Sequence, residues 1–187
     1  MNHLSHPSRR AALAALGSMA ALAAGCATRA TDTSTVMVSR GTFGADDRTL
    51  AMQAAGAGLY EVEAGRLAVA RASHPAVRDY GQRLLQHHGA ANAELVALLG
   101  MHQLTAPVRL PPQFDARLSR LAAEPAPGFD RLFVQVAGVQ DHRSQVAFFQ
   151  HAALVAQDAA LRDWFARHLP VLRQHLQAAQ ALAAAPG

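Results

Sequence analysis

The sequence has a single cysteine, Cys26, and no lysine. One cysteine excludes an intrachain disulfide and any thiolate cluster for a metal. The missing lysine leaves all 17 basic residues as arginine, against 13 acids. That small excess, scattered along the chain, does not describe a nucleic-acid surface. Aromatic residues make up only 5%, so the core must be assembled from aliphatic and small side chains. There is no glycine-rich phosphate loop, no nucleophile elbow and no His-Glu-x-x-His helix. No Glu-x-x-His pair occurs, which removes the defining element of a ferritin di-iron site. The 5 methionines are too few and too dispersed for a copper-binding stripe.

The N-terminus reads as a targeting leader. Arg9 and Arg10 precede an apolar run from Ala11 to Ala24, shorter than the ~20 residues a permanent span needs. Small residues at Ala23-Ala24-Gly25 suit signal peptidase, and Cys26 follows directly. The stretch resembles a lipobox, with its leucine one place further from the cysteine than usual. The expectation is a lipoprotein-type signal over 1–25 and lipidation at Cys26. The lipid would anchor the protein to a membrane, expected to be the outer membrane on its periplasmic side. An ordinary signal peptide is the alternative. Ser8-Arg9-Arg10 also resembles the start of a twin-arginine signal, without its aromatic. Residues 26–45, rich in Thr, Ser, Gly and Ala, read as a flexible tether, and 46–187 as the folded body. A body of that size can hold a sizeable core without disulfides.

Four long segments of the body have helical spacing. They run from about Asp46 to Ala72, Pro75 to Leu99, Phe129 to Ala156, and from after Asp158 to about Leu182. Small residues at Ala54, Gly58, Gly65 and Ala68 give the first a stripe that a neighbouring backbone can approach closely. A capping residue and a first-turn proline mark the Ser73-His74-Pro75 junction, and Asp158 is the expected cap for the last helix. Pro170 should kink that helix and free the Ala166 carbonyl. The long connection from Gly100 to Gly128 holds a short amphipathic piece near 113–123. It is long enough to cross the bundle, so that the second and third helices run parallel. The predicted fold is all-α: a ferritin-like four-helix bundle of two antiparallel hairpins. An internal echo supports two hairpins. Ala76-Val77-Arg78-Asp79-Tyr80 matches Ala160-Leu161-Arg162-Asp163-Trp164, 84 residues on.

Each long helix carries one ionisable residue on its apolar face near its middle: Glu61, His88, His142 and His175. Glu61 and His88 are about equidistant from the first turn, and His142 and His175 from the second. Antiparallel pairing therefore puts all four at similar depth. One carboxylate and three imidazoles converging there would bind a transition metal such as zinc, iron or copper. Glu63, Asn92, Asp141 and His168 are candidates for a surrounding shell. A hydrogen-bonded polar core network without metal fits the same pattern. His74, His87, His102 and His151 fall off the core faces or in turns and are taken as surface.

Ala54 to Ala68, Val77 to Leu95, Phe129-Asp130-Arg131, Asp141-His142-Arg143 and Leu169 to Leu176 together resemble the exported domain of unknown function 4142 family. The order and spacing of these motifs cover most of the body. The resemblance implies a ferritin-like bundle in the bacterial envelope, often described as an outer-membrane protein, and supplies no settled activity. Glu61, His88, His142 and His175 stand at matching positions. His87 departs from the family, where an acidic residue commonly precedes the histidine. The leading expectation is a non-enzymatic envelope protein holding a metal for stress protection or metal handling. A structural or interaction module and a redox enzyme using the same residues are the alternatives.

Overall fold

In a computed structural model, residues 41–185 are described. The expected leader over 1–25, Cys26 and most of the 26–45 segment lie outside them. The described chain is all-helical. Helix α1 is Ala45–Arg71 and α2 is Pro75–Met101. The crossover contains α3, Pro112–Ala123. The third long helix is composite: α4, Ala126–Phe133, passes through a π-helical segment, Val134–Asp141, into α5, His142–Val155. Helix α6, Ala159–Ala184, runs unbroken through Pro170. No helix among the described residues is long and apolar enough to cross a membrane.

Local chemistry sets the ends. His74 is the residue that caps α2: its Nδ1 accepts from the Ala76 N–H at 3.2 Å, ahead of Pro75 in the first turn. Asp158 caps α6 by accepting from the Leu161 N–H at 2.9 Å. Helices α1 and α2 meet at glycines. A Cβ on Gly65 would stand 2.8 Å from the Gly81 carbonyl oxygen, and one on Gly81 would stand 2.6 Å from the Ala68 Cβ. This is the close approach that the small-residue stripe allows.

The two hairpins, α1–α2 and α4–α6, hold each other by reciprocal clamps. Asp47, near the start of α1, accepts the N–H groups of Gln157 and Asp158 in the α5–α6 turn at 2.9 and 2.7 Å. Asp130, near the start of α4, accepts those of Ser73 and His74 in the α1–α2 turn at 3.1 and 2.7 Å. Helix α1 thus begins where α5 ends, and α4 begins where α1 ends. It follows that α2 and the composite third helix run in the same direction, as a long crossover requires.

The sequence echo is therefore structural. Ala72 and Ala156 close their helices in the same way, each N–H reaching the carbonyl four residues back at 2.9 Å, and they lie 84 residues apart. Arg78 and Arg162 both reach back to those same alanine carbonyls, at 2.7 and 3.0 Å. Yet the clamp aspartates Asp47 and Asp130 lie 83 apart. The second hairpin has one extra residue between these marks, and the π segment lies between them. A π turn is a one-residue widening of an α-helix, and such turns are frequent at functional sites.

The core forms two apolar clusters. One gathers Tyr60, Tyr80, Leu84, Phe129 and Phe133 around the α1–α2 turn. The other gathers Leu95, Phe149, Leu161, Trp164 and Phe165 toward the α5–α6 turn. On every long helix a buried polar residue separates the two: Glu61, His88, His142 with Gln145, and His175.

Candidate metal centre

Three imidazoles meet in this polar layer. His88 Nε2 lies 3.3 Å from His142 Nε2, which lies 3.2 Å from His175 Nδ1. One ring nitrogen from each stands within 4.8 Å of the others. The residues are 6%, 0% and 3% exposed.

The π segment aims the central ring. The His142 backbone N–H bonds the Val139 carbonyl, while its ring Nδ1 lies 2.7 Å from the Ala137 carbonyl oxygen. A carbonyl only accepts, so Nδ1 carries the hydrogen and Nε2 keeps its lone pair toward the other two rings. Adding one residue to an α-helix rotates every later side chain by about 100° around the axis, so the widened turn decides which way His142 faces. His175 is held on its outer side: its Nε2 lies 2.9 Å from His87 Nδ1, with the two rings edge to edge, nearly coplanar, and their centroids 5.1 Å apart. Tyr80 donates its hydroxyl to the His175 carbonyl at 3.2 Å and sits edge-on to that ring.

Burial disfavours the charged imidazolium at all three positions. His142 is pushed down to about 4 by burial, against hydrogen bonds to Ala137 and Gly138 carbonyls that favour its charged form. His175 is pushed down to about 3 by burial and then by repulsion from His142 and His87. His88 is held well below its ordinary value by burial and the neighbouring rings. Neutral imidazole is the form that binds a metal.

Glu61 belongs to the layer but not to the ligand group. It lies 4.0 Å from His142 on the Nδ1 side, away from the converging nitrogens. Its Oε1 accepts from Gln145 Nε2 at 2.7 Å, and its buried Oε2 has no protein partner. Burial, then repulsion from Asp141, raises its pKa well above the carboxylate range. Of the expected surrounding residues, Asp141 lies behind this acid, bonded to the Tyr60 hydroxyl at 3.1 Å and paired with Arg117 from the crossover. Asn92 and His168 line a cavity of about 20 Å³ shared with His87, His88 and His175, roughly the room one water needs. His168 is fastened to Glu94 at 3.2 Å. Glu63 pairs with Arg66 at 3.3 Å on the surface and takes no part.

Two histidines taken as surface are not simply that. His87 is exposed yet bonded to His175. His102 is 2% exposed, because α2 runs through Met101 and delivers it beneath the incoming chain. There its ring stacks on Phe43 at 3.8 Å, and its Nδ1 lies 2.7 Å from the Gly41 carbonyl oxygen. His74 and His151 are exposed as expected. Sequence reasoning also passed over Gln145, whose signal was its place 84 residues after Glu61.

Fold and site together define a four-helix bundle with a buried three-histidine cluster able to hold a metal ion. The chain belongs to the family described as Domain of unknown function (DUF4142), whose model matches residues 32–182. The crystal structure of a DUF305 fragment from Deinococcus radiodurans is similar in fold. It has a TM-score of 0.66 and 12% identity, over 76% of this chain and 97% of that one. No curated protein matches.

Proposed function

We propose that the protein is a metal-handling bundle of the bacterial envelope, tethered by lipid at Cys26, that binds one transition metal ion through His88, His142 and His175. The observation that carries this is the locked tautomer of His142, which turns a lone pair toward two other neutral imidazoles. An all-nitrogen set of three favours zinc, copper or iron over calcium or magnesium, which prefer oxygen. The adjoining cavity leaves room for a fourth, exchangeable ligand. Nothing among the described residues supplies a nucleophile with an oriented base, so binding rather than group transfer is the role supported.

Elemental analysis of protein purified from the periplasm tests this. Stoichiometric metal in the wild type, lost in His142→Ala, is the expected result. Metal-free protein that takes up no zinc, copper or iron would sink the proposal. The separations of 3.2 and 3.3 Å also suit a hydrogen-bonded network, the second reading, and that outcome would favour it.

A further inference from the structure

We infer that His87 is the entry and exit ligand of the centre, so that the site exchanges its cation with the surroundings instead of sealing it in. The inference rests on the metal-binding proposal above and adds a route to it.

The three ligand rings are buried, so an arriving cation must be stripped of water before it reaches them. Losing its shell without replacement ligands in a low-dielectric interior is prohibitive. The cavity beside the cluster supplies replacements. Its lining carries His87, His168 and Asn92 next to His88 and His175. His87 is exposed to solvent, and its ring lies nearly parallel to that of His175, 9° from coplanar. The geometry makes His175 two-sided: Nδ1 belongs to the buried cluster, and Nε2 faces the Nδ1 of an exposed imidazole 2.9 Å away. A hydrated cation captured at the exposed His87 ring exchanges one water for one nitrogen, and a second for the His175 Nδ1 lone pair once it passes that ring. It then moves inward as His88 and His142 replace further waters. His168, on the same cavity, offers another nitrogen on the way. Glu94 holds it from outside, with Arg167 on that carboxylate at 3.4 Å. Release retraces these steps.

His87 has a competing explanation: it only orients His175 by accepting its Nε2 hydrogen, and such partners act on affinity. Stopped-flow loading of the metal-free protein with Zn²⁺, and release to a chelator, separates the two. His87→Phe keeps a flat ring at the position and removes both nitrogens. We expect it to slow loading and release together by about tenfold, while Kd stays within about threefold of wild type. His168→Ala, which leaves the His87–His175 pair untouched, should slow both rates less. Unchanged rates in His87→Phe would overturn the route. So would a Kd weakened by about 10–100-fold at an unchanged loading rate, the mark of an orienting residue. Wild-type protein that takes up no zinc would instead overturn the metal-binding proposal beneath it.

Discussion

The two hairpins answer each other position by position, and the differences are concentrated at the site. At the 84-residue spacing, His142 corresponds to Gly58, His175 to Ala91 and His88 to Leu172. The first hairpin therefore sets His88 beside Gly58 and Ala91, and the second sets His142 and His175 beside Leu172. Gly58, Ala91 and Leu172 all line the cavity. The space beside the cluster is bounded in part by these counterparts that carry no imidazole. Packing differs in the same way: Gly65 lets α1 touch α2, while its counterpart Phe149 lies in an aromatic group with Phe148, Trp164 and Phe165. A shared scaffold carries an imidazole at one member of each matched pair and a small or aliphatic residue at the other.

The largest break in that comparison should come from the aromatic side. Phe149→Ala is expected to cost about 3–5 kcal/mol by chemical denaturation, as for other buried aromatics. Gly65→Ala should cost about 1–3 kcal/mol through overpacking at the same place in the first hairpin. A Gly65→Ala protein as stable as wild type would show that the helices can separate freely.

Acid comes next, and it should act on the three histidines of the layer. In the metal-free protein the three histidines have folded pKa values below the 6.5 of the unfolded chain. The unfolded chain then binds more protons, so stability falls as pH drops below 6.5 and levels off near 4 to 3. The loss should be on the order of 3 kcal/mol for His142 alone. Glu61 has the opposite sign: its raised pKa makes the folded state bind more protons, so stability falls as pH climbs above 4.5. Glu61→Gln should flatten that slope and leave the histidine slope in place. Melting curves from about pH 3 to 9 check both, and equal slopes in wild type and Glu61→Gln would refute the assignment.

The clamps rank third. Asp47 is 3% exposed and Asp130 is only half-buried. Asp47→Ala should cost about 2–3 kcal/mol and Asp130→Ala less, each losing two bonds to a charged acceptor. The smallest effect is expected from Arg78→Ala and Arg162→Ala, about 1 kcal/mol each, and nearly equal if the hairpins are true equivalents.

The long helices were legible because their apolar spacing persists over many turns, and His74, Pro75 and Asp158 mark where two of them begin. The π segment was not. Val136, Val139 and His142 still read as one face, since a single added residue blurs a helical period without abolishing it. The slip from 84 to 83 in the repeat was its only trace. Depth within the bundle was also legible, which is why His88, His142 and His175 meet. Direction around each axis was not, so Glu61 was expected among the ligands and lies behind His142. His87 escaped because it adjoins His88 in sequence and points a different way. Only the third dimension shows that it reaches His175.

The reciprocal clamps also bear on ancestry. Each hairpin carries an aspartate that fits the turn of the other, and a turn that fits the aspartate of the other. A chain half this long would hold both parts of the lock, unable to close it alone but complete when paired with its own twin. Doubling such a gene would join the twins without changing how they grip. In such a pair the second copy would have gained a residue together with His142 and His175, and the first would have gained His88, with Gly58 and Ala91 left small beside it.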